Sequence, residues 1–208
     1  MAFVIENGND AHENNELNTA VTRRNKWYFT PNTGKDILNH LITVTKEYAN
    51  NCIKLLTIAG HGHSSYNEYN GIPGKPYNNN VGLYYHEVSP NDKVKGARSL
   101  NDLKKLITLK DIVFCKSCLI ELYSCRKGLQ FALKLASITG CEVIFTTGSC
   151  GRNMYEGESG WISGPKYDYE ISSGDYMGFF IAKPDGSYEK YRDPHTKERK
   201  QSSKYTPK

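Results

Sequence analysis

Apolar runs and amphipathic stretches alternate along most of the chain. Residues 27–30 predict a short first strand, and apolar positions at helical spacing follow from about Lys35 to Asn50. Residues Ile53 to Ala59 form a nearly continuous apolar run, which is typical of a central parallel strand covered on both faces. Further core strands are predicted at 119–123 and 141–146, with helices near 100–107 and 128–139. The pattern indicates an α/β protein.

Local signals mark where several of these elements begin and end. Thr33 with Asp36, and Ser99 with Asp102, fit the pattern in which a hydroxyl and an acid three residues later cap a helix start. Near the end of the chain, Pro184-Asp-Gly186 separates two strand-like runs and predicts an antiparallel hairpin. We therefore expect a three-layer αβα sandwich, with a mostly parallel central sheet finished by this C-terminal hairpin.

The length of 208 residues favours one domain with a substantial core. Residues 1–25 are polar, with only the run Phe3 to Ile5 to bury, and we interpret them as an N-terminal segment outside the domain. The domain is then expected at 26–193, followed by a basic, flexible tail at 194–208.

Charge and hydropathy limit the partners that we expect. The net charge of +5 is mild and concentrated in the tail, which indicates a solvated segment more than a nucleic-acid contact. No apolar run approaches the length needed to span a bilayer, and the first residues lack the features of a cleaved signal peptide. We expect a cytoplasmic protein, or one exported without a cleaved signal into a target cell, and no membrane partner.

Cysteine usage gives no sign of a secreted disulfide framework. Several of the six cysteines lie in apolar strand-like segments where buried free thiols are common, and Cys52 and Cys141 are expected to be of this kind. Cys115 and Cys118 form one Cys-x-x-Cys with no second such pair, so neither zinc binding nor redox chemistry is expected there. A reducing compartment is the expected home.

Two core strands each stop at a reactive side chain that a glycine follows closely. His61 ends the first and precedes Gly62, whereas Cys125 ends the second and precedes Gly128. The carboxyl ends of neighbouring parallel strands share one edge, and ligands bind in the crevice there. A cysteine and a histidine brought together at that edge supply a nucleophile and a proton carrier. This arrangement indicates a cysteine hydrolase.

The two strand ends resemble those of the caspase-like (clan CD) cysteine peptidases, which include caspases, clostripain, gingipains, separases and legumains. The matching segments are Ile-Ala-Gly-His-Gly at 58–62 and Leu-Tyr-Ser-Cys-Arg at 122–126, and the resemblance covers residues 27–147. Histidine precedes cysteine, the reverse of papain-like enzymes. The resemblance implies that Cys125 is the nucleophile and His61 the general acid and base. It also implies that the backbone N–H groups of Gly62 and Cys125 hold the oxyanion, without metal or cofactor.

The substrate pocket that the resemblance implies comes from the 63–80 loop and the segment 149–175. Its candidate residues share a place after the last core strand and are Ser149, Cys150, Arg152, Glu156 and Asp168. Acidic groups there weakly favour cleavage after a basic residue, although Arg152 opposes this. Cys150 is the rival nucleophile, but a glycine-rich loop is expected after it, and His63 is the rival base.

The sequence thus predicts a cysteine endopeptidase that acts on a protein or peptide substrate. A bacterial toxin or effector protease, held in check by an inhibitor or immunity protein, is a further hypothesis from size and composition. A catalytically inactive caspase-like binding protein is the main alternative. A nuclease using His61, His63 and the basic tail is less favoured, because no carboxylate cluster accompanies the histidines to bind a metal.

Overall fold

The computed structural model describes residues 2–5, 27–48, 52–60, 71–74, 78–123, 129–145, 149–152, 161–164, 179–191 and 196–198. The strands are β1 Ala2–Ile5, β2 Tyr28–Phe29, β3 Ile53–Gly60, β4 Gly71–Gly74, β5 Asn78–Tyr84, β6 Arg98–Ser99, β7 Phe114–Tyr123, β8 Glu142–Phe145, β9 Ser149–Arg152, β10 Trp161–Gly164, β11 Phe179–Ala182, β12 Tyr188–Tyr191 and β13 Thr196–Glu198. The helices are α1 Gly34–Thr43, which continues into a π-helical turn Val44–Tyr48, α2 Pro90–Lys95, α3 Leu100–Thr108 and α4 Leu129–Thr139.

The main sheet is mixed, with strand order β12-β11-β8-β7-β3-β1-β2. The five strands from β8 to β2 run parallel to one another. β11 is antiparallel to β8 and forms a hairpin with β12 through the turn at 184–186, where Gly186 adopts a positive φ of 87°. The α/β class and the antiparallel C-terminal hairpin are confirmed.

The core is built on β3 and β7, the central pair of the parallel strands. On one face of these strands Leu56, Ile58, Ile120 and Leu122 are none more than 3% exposed, and on the other face Thr57, Ala59 and Glu121 are none more than 2% exposed. Because consecutive strand residues point to opposite faces, this burial shows that both faces of the sheet are covered here. The continuous apolar runs in the sequence have this cause.

Both helix starts marked by capping patterns are present. At α1, Thr33 Oγ1 accepts a hydrogen bond from the Asp36 N–H at 3.1 Å, and Asp36 Oδ2 accepts one from the Thr33 N–H at 3.0 Å. Ser99 and Asp102 make the same reciprocal pair at α3. The predicted first helix runs to Asn50, but α1 ends at Thr43 and the chain changes to the π-helical turn.

Two smaller sheets occupy segments that the sequence pattern did not assign correctly. β4, β5 and β6 form one, so β4 and the first residues of β5 lie in the segment 63–80, for which a loop was expected. β9, β10 and β13 form the other. The short helix α2 was not predicted, because it has no buried residue and hence no apolar stripe, although Pro90 after the capping Ser89 marks its start.

The two ends of the chain contribute strands. β1 lies between β2 and β3, and its Phe3 is fully buried, although residues 1–25 were predicted to lie outside the domain. β13, from the predicted tail, pairs with β10. β1 has only four residues, too few to show an apolar period in the sequence. It is recognised as a strand only from its pairing with β2 and β3.

Within the part of the chain that the structure describes, four cysteines form disulfides, which corrects the expectation of free thiols for Cys52 and Cys141. Cys52 is bonded to Cys115, with their Cα atoms 5.0 Å apart, and Cys118 to Cys141, at 4.7 Å. The two bridges tie β7 to the residue before β3 on one side and to the residue before β8 on the other. Disulfides persist in non-reducing compartments, so the expected reducing environment is not supported.

Among the helices of the described residues, none has both the length and the apolar character needed to cross a membrane.

Helix α1 begins in close contact with the sheet of β4, β5 and β6. A Cβ atom on Gly34 would overlap the backbone carbonyl oxygen of Gly82 in β5, and the Lys35 N–H donates to the Gly96 carbonyl at 2.9 Å. The overlap involves backbone on both sides, so no side chain can move to relieve it. Gly34 therefore fixes how closely this helix approaches the smaller sheet.

We predict that Gly34→Ala lowers the free energy of unfolding by about 1–3 kcal/mol, the usual cost of overpacking, net of any gain in helix propensity. Urea denaturation measures the change. Lys35→Ala, at an exposed position in the same turn, should stay within about 0.5 kcal/mol of the parent protein. Equal stability of the two variants would contradict the close approach.

Candidate functional site

The parallel strands of the main sheet end along one edge. Their last residues, in spatial order, are Phe145 of β8, Tyr123 of β7, Gly60 of β3, Ile5 of β1 and Phe29 of β2. Counted in chain order, the parallel strands follow the sequence 2-1-3-4-5 across the sheet. In such a sheet the connections diverge between strands 1 and 3, and ligands bind outside the carboxyl ends at this point. Here the divergence lies between β1 and β3.

The predicted catalytic residues come directly after two of these strand ends. His61 and Gly62 follow β3, and Cys125 follows β7 after one intervening residue. All three lie outside the described residues, as do His63 and the two predicted pocket acids, Glu156 and Asp168. The structure therefore describes the strand ends that precede these residues and says nothing of the residues' own contacts.

The register of β3 against β7 is regular up to its last pair. It runs from Leu55 opposite Leu119 to Ala59 opposite Tyr123, without interruption. Along the chain, His61 comes two residues after Ala59, and Cys125 comes two residues after Tyr123. The two predicted catalytic residues are therefore at equal distance in sequence from one pair of opposed residues.

Ser149, Cys150 and Arg152 lie in β9, where the structure describes the backbone. Cys150 and the two residues after it belong to a strand antiparallel to β10, with Cys150 opposite Ser163 and Arg152 opposite Trp161. The rest of the loop expected after Cys150, residues 153–160, lies outside the described residues. β9 starts a few residues after β8 ends at the carboxyl edge. In chain order β9 therefore comes directly after β8, the strand next to β7 in the sheet.

A buried polar pair joins β3 and β7 and was missed in the sequence analysis. Thr57 and Glu121 are opposed in register, both only 2% exposed, and the Thr57 hydroxyl donates to Glu121 Oε2 at 2.8 Å. A polar group buried this deeply is costly unless it is hydrogen-bonded. Because strand side chains alternate, the pair lies on the same face as Ala59. The signal was available as an acid within the apolar run 119–123.

His40, on helix α1, is a packing residue and not a rival base. Its ring stacks on Phe29 with ring centroids 4.2 Å apart and lies near Phe3 at 6.1 Å. Burial lowers the pKa of His40, partly opposed by the nearby Asp36 carboxylate. Within the described ranges, no group of three or more His, Cys, Asp or Glu side chains could hold a metal ion.

We predict that Thr57→Val, which keeps the shape of the side chain and removes the hydroxyl, lowers the free energy of unfolding by about 1–3 kcal/mol, since Glu121 loses a partner in the core. Thr108→Val is the matched control, because that hydroxyl donates to the Lys104 carbonyl on an exposed helix surface. The control should change stability by less than about 0.5 kcal/mol. Chemical denaturation of both variants decides, and a Thr57→Val protein as stable as the parent would refute the role.

Comparisons with protein-family models, with curated proteins and with solved structures found no match to this chain. The strand-end residues and the geometry of the sheet edge are therefore what a functional proposal rests on.

Proposed function

We propose that the protein is a cysteine endopeptidase in which Cys125 is the nucleophile and His61 the general acid and base. The fold proposed with it is the three-layer αβα sandwich of the caspase-like peptidases, which the two strand-end segments resemble. The mixed sheet with its parallel centre is compatible with this arrangement.

The observation that carries the proposal is the opposition of Ala59 and Tyr123 at the ends of β3 and β7. Adjacent strands lie about 4.8 Å apart. If both strands continue in register for two residues, His61 and Cys125 are direct neighbours, and their side chains can reach hydrogen-bonding distance. Without this register, two residues 64 positions apart in sequence would have no reason to meet.

A disulfide elsewhere in the protein shows how close two side chains come when they are equally displaced from a register pair. Leu119 of β7 is opposite Glu142 of β8, and the residues just before them, Cys118 and Cys141, form a disulfide with Cα atoms 4.7 Å apart. Equal displacement from a register pair thus brings two side chains into covalent contact at the level where β8 begins. The proposal applies the same relation at the carboxyl end.

In the proposed mechanism the Cys125 thiolate attacks the carbonyl carbon of the scissile peptide bond. The oxyanion that forms accepts hydrogen bonds from the backbone N–H groups of Gly62 and Cys125. His61 protonates the departing amine, and a water molecule activated by the same imidazole then hydrolyses the acyl-enzyme. Glycine at position 62 leaves room for the substrate to approach the backbone closely.

The proposed substrate pocket is formed by the chain beyond β8. β9, with Ser149, Cys150 and Arg152, starts near the carboxyl edge, which supports a place beside the reacting groups. Glu156 and Asp168 are the proposed acids that favour a basic residue at the cleavage point. The substrate is then an extended peptide segment with lysine or arginine before the cut.

The disulfides bear on where this activity is used. Two bridges within one small domain favour a protein that folds in a non-reducing compartment. This supports the exported form of the proposal, a toxin or effector protease acting outside the cell that makes it. A dedicated inhibitor or immunity protein would be its natural partner.

We predict that Cys125→Ala and His61→Ala each lower kcat/KM at least about 1,000-fold, because each removes one half of the dyad. Cleavage of a peptide library varied at the position before the cut measures the activity and its side-chain preference together. Unfolding curves that match the parent protein exclude loss of fold as the cause.

Cys150→Ala and His63→Ala are the matched controls, since each removes the same chemical group from the rival position. Both should retain activity within about tenfold of the parent. Cleavage that survives in purified Cys125→Ala, or that depends on His63 and not on His61, would overturn the assignment.

A further inference from the structure

We propose that the Cys52–Cys115 bridge is a thiol-exchange site, which a dithiol or a glutathione-type thiol opens while the Cys118–Cys141 bridge stays closed. The chain would then exist in two covalent forms, selected by the compartment in which it is found. This inference stands on the two disulfides and their surroundings, and it does not depend on the proposed peptidase activity.

The first observation is the difference in burial between the two bridges. Cys118 and Cys141 are 6% and 0% exposed, within the core that surrounds β7 and β8. Cys52 and Cys115, in contrast, are only partly buried. An attacking thiolate must reach a sulfur atom, so the rate of exchange depends on access. Only the Cys52–Cys115 bridge offers that access.

The second observation is the charge beside the accessible bridge. Lys116 follows Cys115 directly, Lys54 follows Cys52 by two positions, and both lysines are exposed. Ammonium groups attract an incoming anionic thiolate and stabilise the cysteine thiolate that leaves. A third lysine of this end of the sheet, Lys46, is in an ion pair with Asp111 at 2.9 Å. The local surroundings therefore favour exchange with negatively charged thiols.

The exchange has a simple balance. A reductant thiolate attacks one sulfur of the bridge, forms a mixed disulfide with it and expels the other cysteine as a thiolate. A second reductant thiol then displaces the first cysteine, which leaves as a thiolate and takes up a proton. The protein gains two electrons and two protons, and the reductant is released as its own disulfide.

The structural consequence is confined to the amino end of the sheet. Between the pairs Ile53–Phe114 and Leu55–Leu119, β7 carries three more residues than β3, so residues 115–118 bulge out of the ladder. One bridge holds each end of this bulge, Cys115 toward β3 and Cys118 toward β8. Opening the first frees one end, whereas the buried register from Leu56 to Ala59 keeps its apolar packing.

The test is a reduction series on the purified, unreduced protein, with glutathione as the reductant. Free thiols are blocked with N-ethylmaleimide at each time point and located by peptide mass spectrometry. Cys52 and Cys115 should become labelled at least tenfold faster than Cys118 and Cys141. Simultaneous opening of both bridges, or faster opening of Cys118–Cys141, would overturn the proposal.

A charge variant separates the electrostatic argument from simple exposure. Lys54→Gln combined with Lys116→Gln should slow reduction by anionic glutathione by about twofold to fivefold, and should slow reduction by cationic cysteamine less. Lys190→Gln, an exposed lysine on β12 at the far edge of the sheet, is the matched control and should change neither rate. Equal rates in all three proteins would remove the role given to the lysines.

Hydrogen exchange locates the consequence without reference to activity. In Cys52→Ser combined with Cys115→Ser, amide protection should fall at 53–55 and 114–118 and stay unchanged at 57–59. The glutathione-reduced protein should show the same pattern. A loss of protection throughout the sheet would contradict a local opening.

Discussion

The register between β3 and β7 is the constraint on which the rest of this molecule depends. A shift of one residue would turn every side chain of a strand to the opposite face of the sheet, and here both faces are packed. The buried side chains of Leu56, Ile58 and Ile120 therefore specify the register strongly. The Thr57–Glu121 hydrogen bond adds a buried polar contact that a shift in register would break.

One disulfide joins the residue before β3 to β7, and a second joins β7 to the residue before β8. Each predicted catalytic residue lies within the loop closed by a different bridge, His61 between Cys52 and Cys115 and Cys125 between Cys118 and Cys141. The bridges thus hold the chain before β3, within β7 and before β8, on the side of the sheet away from the carboxyl edge. Binding and catalytic residues of α/β proteins usually lie at the carboxyl edge.

Much of the main sheet could be predicted from the sequence, because long apolar runs, capping residues and a Pro-Asp-Gly turn each act locally. β1 could not, since its four residues are stabilised by β2 and β3 and show no pattern of their own. The disulfides could not be predicted from local patterns either, because their pairing depends on which strands are neighbours in the sheet. In hindsight, Cys52 and Cys118 each stand just before a predicted core strand and Cys141 is the first residue of one, so the assumption of parallel neighbours would have placed them at nearly one level.

The candidate site, too, could be predicted from the sequence only in part. The strand ends that carry His61 and Cys125 were predicted, and the described register agrees with their being neighbours. Glu121 was overlooked because its run was read for its apolar residues alone, although an acid inside a core strand requires a partner. β9 could not be recognised, since Ser149–Arg152 contains no apolar alternation and forms a strand only by pairing with β10.

The most direct measurement of the central claim is a cross-link that asks only whether positions 61 and 125 are adjacent. In a Cys150→Ser background, the cysteine introduced by His61→Cys should form a disulfide with Cys125 on mild oxidation. Cys118 and Cys141 form such a bridge between β7 and the residue before β8. Mass spectrometry of the unreduced protein identifies the bridge, and His63→Cys in the same background serves as the control. If positions 61 and 125 are adjacent, the bridge from position 61 to Cys125 forms in high yield, and little or no bridge forms from position 63. A folded His61→Cys protein with no such bridge would show that the two strand ends do not bring these residues together.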